Sequence, residues 1–253
     1  MPSPLPDSPP SLASSLAPSP ASPHCVGVLL AAGHGRRYAA IAPGQDKLLA
    51  LLGDGTPVAL ACARALRQAT ARTIVVLRAD QTALRALLES EGCEIVVVKA
   101  DANGMGDSLA TAARYLMQEA RGVQAERGEQ GEQAGQGAQV VRDEQDMQAM
   151  QAQDQPAQSA CLIALADMPW LRTDTCMQVA AATRRHRIVA PTWQGRRGHP
   201  VAFARDLWPE LAALSGDVGA RSVLMRHPVH ELAVDDPGVL ADVDAPGDLV
   251  SKP

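Results

Sequence analysis

Val26-Gly27-Val28-Leu29-Leu30-Ala31-Ala32-Gly33-His34-Gly35-Arg36-Arg37 joins a short apolar run to a basic turn punctuated by glycine. Val26–Ala31 reads as a buried strand, because an apolar run of this length bounded by glycines has no polar face to give to water. The turn that follows has the chemistry of an anion site. Glycines let the backbone approach a phosphate and turn its N–H groups inward. Arg37 adds a bidentate donor, and Lys47 a mobile point charge. The third glycine of a dinucleotide fingerprint is missing, since Tyr38 follows Arg37, and no Gly-Lys-Ser/Thr of a P-loop is present. A dinucleotide-binding dehydrogenase is therefore disfavoured.

Outward from this stretch, strand and helix patterns alternate. Pro57–Ala69 reads as a helix, Thr73–Leu77 as a strand, Gln81–Glu89 as a helix and Glu94–Lys99 as a strand. Gly106–Met117 is a helix, Cys161–Ala166 a strand, Thr173–Thr183 a helix and Arg187–Pro191 a strand. Pro200–Phe203 is a short returning strand. Helices near Asp206–Leu214 and Val218–Met225 precede a last strand at His230–Val234. The alternation predicts a mostly parallel sheet in a three-layer α/β/α arrangement. Ligands of such sheets lie beyond the C-terminal ends of the strands.

Two segments stand apart. Residues 1–23, rich in Pro, Ser and Ala, are expected to form a disordered tail. The Gln-, Gly- and Glu-rich stretch at about 118–159 reads as an insertion, disordered or partly helical, within a domain spanning 24–250.

Composition narrows the function. Nearly half the residues are apolar, but there is only one Phe, two Tyr and three Trp, so the core must be built of Ala, Val, Leu and Ile. A formal charge of −5 argues against nucleic-acid binding, and aromatics are too few for a base-stacking platform. The five cysteines, at 25, 62, 93, 161 and 176, form no zinc-type pair and suit buried thiols in a reducing compartment. No Lys or Arg precedes Arg36, and no stretch is long and apolar enough for a bilayer. The chain is expected to be soluble and cytoplasmic.

Asp167 ends the strongly apolar strand Cys161–Ala166. A carboxylate there is costly unless water, a cation or hydrogen bonds satisfy it, and hard oxygen ligands suit Mg²⁺ carrying a nucleotide's phosphates. The structural alternative is a helix cap, for which Thr173 or Asp174 is better placed.

Leu30-Ala31-Ala32-Gly33-His34-Gly35-Arg36-Arg37, with a lysine following, resembles the signature of nucleotidyltransferases with a glycosyltransferase-A-like fold. Its Leu-Ala-Ala-Gly form is similar to the molybdenum cofactor cytidylyltransferases; the guanylyltransferase branch usually has Leu-Ala-Gly-Gly. Tyr38–Asp46 makes the loop before Lys47 longer than in that family. The resemblance extends to Asp242-Val243-Asp244, matching a late Asp-x-Asp/Asn stretch, and to Gly106-Asp107-Ser108, matching a base-contacting segment. Gly198-His199-Pro200 and Gly216-Asp217-Val218-Gly219-Ala220-Arg221 resemble the acceptor side.

The resemblance implies a nucleotide site at Leu30, Ala31, Ala32, Gly33, Gly35, Arg37, Lys47, Gly106 and Ser108. It implies an acceptor site at His199, Gly219 and Arg221, and a Mg²⁺ site at Asp167, Asp242 and Asp244, with Arg37, Lys47 and Asp167 catalytic. The implied reaction transfers CMP from CTP to the phosphate of molybdenum-bearing molybdopterin. The product would pass to a molybdoenzyme or its chaperone. A GTP-dependent enzyme, another small-molecule nucleotidyltransferase and a non-catalytic nucleotide- or cofactor-binding module are the alternatives.

Overall fold

The computed structural model describes residues 22–102, 104–134 and 159–250. At its centre β1 (Ser22–Leu30) runs parallel to β2 (Thr70–Leu77) on one side and β4 (Ala160–Leu165) on the other, with β3 (Glu94–Val97) parallel beyond β2. The sheet continues through β7 (Val201–Ala204), antiparallel to β4, into β5 (Ile188–Trp193). A short strand, β6 (Arg196–Arg197), folds back on β5, and β8 (His230–Ala233) lies parallel along its other side. The strand order is β3-β2-β1-β4-β7-β5-β6.

Alternate side chains of the central strands feed two cores, as the two-residue period of a strand requires. Leu29, Val75 and Leu162 face α2 (Val58–Ala69), α3 (Thr82–Ser90) and α5 (Thr173–Ala182). Val28, Ile74 and Ile163 face α4 (Met105–Ala134), α6 (Trp208–Ala212) and α7 (Arg221–Arg226). The result is the three-layer, mostly parallel α/β fold that the alternation predicts, built on Ala, Val, Leu and Ile. Gly27 lets α2 settle onto the sheet: a β-carbon there would stand 2.8 Å from Leu66 and 2.7 Å from the Thr73 hydroxyl.

The differences from the sequence expectations lie at element ends. The helix expected to stop at Met117 runs to Ala134, so the insertion begins as a continuation of α4; residues 135–158 lie outside the described residues. β1 begins at Ser22, two residues inside the expected tail, and its register with β2 shifts between Ser22 and Val26, around Pro23, which has no N–H to give to a ladder. Residues 1–21 of that tail also lie outside the described residues. Two further features were not read from the sequence: a short helix α1 (Arg36–Ile41) in the loop after β1, and the strand β6.

All five cysteines are free and buried. Burial pushes the Cys93 thiol up to about 11 and that of Cys161 to about 12, so these are packing groups and not nucleophiles. Among the described residues no helix is long and apolar enough to cross a membrane.

The sheet places the site. From β1 the chain moves outward through β2 to β3, then returns to lay β4 on β1's opposite side. The loops leaving β1 and β4 diverge at this switch in direction and leave a crevice beyond the strand ends.

Candidate active site

The loop after β1 and the turn after β4 meet in that crevice. Ala31 N–H still bonds the Val76 carbonyl at 3.0 Å, and Ala166 N–H bonds the Leu30 carbonyl at 3.0 Å, so the last strand residues hold both loops at their roots. Gly35 takes a left-handed conformation, φ 57°, and opens α1. Most L-residues pay about 1–2 kcal/mol for that conformation. Within α1, Tyr38 is buried at 2% exposure. The long segment before Lys47 is thus packed onto the domain by an aromatic anchor.

Lys47 is set by its neighbours. Leu48 is buried, its N–H bonds the Asp46 carboxylate at 2.9 Å, and its carbonyl accepts from Ala59 N–H at 3.0 Å at the start of α2. The lysine side chain is 12% exposed and places Nζ 2.5 Å from Asp167 Oδ2 and 3.2 Å from the Val243 carbonyl. Val243 N–H in turn bonds the Asp167 carbonyl at 2.8 Å. The late acidic stretch is thereby tied to the end of β4. Its turn is closed by Asp248, whose carboxylate accepts from the N–H groups of Asp244 and Ala245 at 2.9 and 2.7 Å. Arg37 forms an ion pair with Asp244 across the opening.

These groups line one cavity of about 570 Å³. Leu30, Ala32, Gly33, Gly35, Arg37, Lys47, Ser108, Asp167, Asp242 and Asp244 all contribute to its wall. Ser108 is buried near the start of α4, its hydroxyl donating to the Gly104 carbonyl at 3.3 Å. Two expected nucleotide contacts do not line the cavity. Ala31 is buried beneath it. Gly106 packs on a neighbouring loop, where a β-carbon would come within 2.6 Å of the Ser215 carbonyl.

His199, Gly219 and Arg221 line a second, mainly apolar cavity of about 250 Å³ that shares Leu30, Met105 and Leu165 with the first. His199 follows Gly198, packed against the Val239 carbonyl, and its own N–H bonds that carbonyl at 2.9 Å. Burial lowers the His199 pKa below its ordinary value, against the upward pull of Asp167. The imidazole is therefore neutral near pH 7.

Four carboxylates, Asp167, Asp217, Asp242 and Asp244, line the cavity beside Arg36, Arg37, Lys47 and Arg78, and Asp167 and Asp244 are paired with Lys47 and Arg37. The Asp242 carboxyl is pushed above its ordinary value, first by burial and then by the charge of Asp244, with a smaller push from Asp167 and an opposing pull from Lys47. Asp167 Oδ1 is buried and has no hydrogen-bond partner among the described residues. Among the described residues no three His, Cys, Asp or Glu side chains are grouped closely enough to hold a metal by themselves. Asp167, Asp242 and Asp244 are hard oxygen donors, the kind that suits a divalent cation which keeps waters and draws its other ligands from phosphates.

Arg78, Gln81 and Met105 were missed in the sequence. Arg78 and Met105 line the first cavity, and Gln81 donates to the Ala31 carbonyl. Arg78 directly follows β2, so the strand-end rule that singled out Asp167 points to it equally.

Residues 27–232 match the model of the MobA-like NTP transferase domain. Among solved structures, Rv0371c from Mycobacterium tuberculosis H37Rv is 27% identical, with 88% of this chain and 94% of that chain covered at a TM-score of 0.63. The same Rv0371c in a complex with manganese is 28% identical over 88% of this chain and 95% of that one, TM-score 0.60. Molybdopterin-guanine dinucleotide biosynthesis protein A from Archaeoglobus fulgidus shares the fold at 16% identity, covering 88% of this chain and 94% of that one, TM-score 0.55. A search of curated proteins finds no match to the chain.

Proposed function

The chain belongs to the MobA-like NTP transferase family and is a nucleotidyltransferase, and we propose that it transfers CMP from CTP to the phosphate of molybdenum-bearing molybdopterin. The observation that carries this reading is the meeting of the Leu30–Lys47 loop with Asp167, Asp242 and Asp244 in one cavity at the switch between β1 and β4. Residues 24–250 are read as the nucleotidyltransferase domain. The choice of CTP rests on Ala32 in the Leu-Ala-Ala-Gly signature. The acceptor rests on the neighbouring cavity, whose apolar wall suits a flat ring system and whose Arg197 and Arg221 suit a phosphate.

In this reading an oxygen of the acceptor phosphate attacks the α-phosphorus of the triphosphate. A new P–O bond forms there, the bond to the β-phosphate oxygen breaks, and pyrophosphate leaves. The nucleophile is already anionic, so the work is positioning and charge neutralisation rather than proton abstraction. Arg37 exchanges Asp244 for the β- and γ-phosphates, and the Gly33–Gly35 backbone cradles the same groups. Lys47 holds the α-phosphate as its charge grows, and Ser108 lies on the base side. Asp167, Asp242 and Asp244 would hold Mg²⁺, which supplies neutralisation of phosphate charge when bound. The product would then pass to a molybdoenzyme or its chaperone, with the reaction in the cytoplasm.

The test is pyrophosphate release with Mg²⁺ and molybdopterin-type cofactor, comparing CTP, GTP, ATP and UTP. Release with CTP alone is expected, and Asp167→Ala abolishes it. Release with GTP instead would move the chain to the guanylyl branch. Unchanged turnover of Asp167→Ala would remove that residue from the chemistry.

A further inference from the structure

Three successive carbonyls of the phosphate loop are held by side chains from the adjoining strand's end. Arg78 Nη1 donates to the carbonyls of Ala32 and Gly33, both at 2.8 Å, and Gln81 Nε2 donates to that of Ala31 at 3.0 Å. The two side chains are themselves braced. Gln81 Oε1 accepts from Arg78 N–H at 2.8 Å, and Arg78 Nε pairs with Asp80 at 3.1 Å. Gln81 is buried, and the Arg78 side chain is only 22% exposed.

The peptide unit turns this into a statement about the amides. In a trans peptide the N–H points opposite the carbonyl of the preceding residue. Fixing the carbonyls of Ala31, Ala32 and Gly33 toward Arg78 and Gln81 therefore turns the N–H groups of Ala32, Gly33 and His34 the other way. Those three residues line the cavity, and among the described residues none of their N–H groups has an acceptor. Consecutive free N–H groups beside a cavity are donors that an anion can accept from. Glycine is conformationally permissive, so side chains that hold the loop's carbonyls also restrict where its amides point.

We infer that Arg78, seconded by Gln81, is a positioning residue that sets the phosphate loop's amides for a polyphosphate, acting through the carbonyls of Ala32 and Gly33. The inference rests on the nucleotidyltransferase reading of the same loop. Arg78 suits the task because its planar, always-charged guanidinium gives Nη1 to both carbonyls while a second nitrogen, Nε, holds Asp80. A lysine has the charge but no second nitrogen for Asp80.

The experiment titrates inorganic tripolyphosphate into the full chain and into Arg78→Ala, Arg78→Lys and Gln81→Leu. Binding heat and the amide resonances of Gly33 and His34 are followed, with the thermal midpoint as a check on folding. Arg78→Ala is expected to weaken tripolyphosphate, and to raise the KM for the nucleotide, about 10- to 100-fold, with the acceptor KM unchanged. Arg78→Lys recovers only a small part of this loss, and Gln81→Leu, which keeps Arg78, loses several-fold. Should Arg78→Ala fail to fold, Arg78→Lys and Gln81→Leu carry the test. Full recovery in Arg78→Lys would reduce Arg78 to a point charge and overturn the positioning role. Unchanged affinity and amide shifts in the variants would overturn it too, while leaving the nucleotide site intact. A chain that ignores tripolyphosphate before any substitution would overturn the reading of the loop as a phosphate site and this inference with it.

Discussion

At Gly33, nothing among the described residues stands within 4 Å of where a β-carbon would be. Folding therefore does not ask for glycine at this position; only a ligand coming close to the backbone would. Gly35 differs, because its φ of 57° asks for glycine whatever the ligand. Gly33→Ala is thus expected to leave stability within about 0.5 kcal/mol while raising the KM for the triphosphate about tenfold or more. Thermal unfolding beside steady-state kinetics checks both halves, and a normal KM would place the phosphates away from Gly33. Residues of this kind were legible in the sequence because their types are chemically specific: a glycine turn, an arginine, an acid at the mouth of an apolar strand. Arg78 stands at a strand end too, but its role is not legible there, because its partners are main-chain carbonyls, which look the same in every sequence.

Among the elements, the segment carrying Gly198 and His199 depends on a neighbour distant in sequence. A methyl group at Gly198 would overlap the Val239 carbonyl, to which His199 N–H also bonds. Val239 lies in a short 3-10 turn, Pro237–Leu240, anchored by buried Asp236, which accepts from Thr175 Oγ1 at 2.6 Å and Arg172 N–H at 3.1 Å. Gly198→Ala is expected to cost about 1–3 kcal/mol, as overpacking does, and to raise the KM for the acceptor more than that for the nucleotide. An unchanged unfolding midpoint in urea would show that the turn yields freely. Strand and helix types were legible from periodicity, but the end of α4 was not. Beyond Met117 the apolar period fades into Gln, Glu, Ala and Gly. Most of these favour a helix by propensity, yet they carry no apolar stripe to mark one. Arg72, paired with both Glu94 and Glu119, fastens this stretch of α4 to the sheet.

For the molecule as a whole, His24 near the start of β1 links stability to pH. It is buried, with its ring 3.1 Å from the Thr183 hydroxyl. Burial first, and then the charge of Arg184, hold its pKa below the ordinary 6.5. The unfolded chain thus takes up the proton at higher pH than the folded one. Stability is complete above about 6.5 and is lost as pH falls toward the lower folded value. His199, lowered by burial, adds to the same slope. Urea unfolding at about pH 7.5 and about pH 5.5 should show the loss, and His24→Gln should make it smaller. An equal loss in His24→Gln would assign the slope to other groups.

The sequence by itself determined the layered, mostly parallel α/β fold and the glycine-rich loop at the end of its first strand. Both follow from local properties, the period of apolar residues and the conformational freedom of glycine. Only the tertiary structure decided that Lys47 meets Asp167, that Arg37 meets Asp244, and that Arg78 stands behind the loop. Those pairings are set by which strands lie side by side. β4 returns next to β1 after 129 positions of chain between Leu30 and Ala160, and hydrophobic periodicity tells which face of a strand is buried but not which strand is its neighbour.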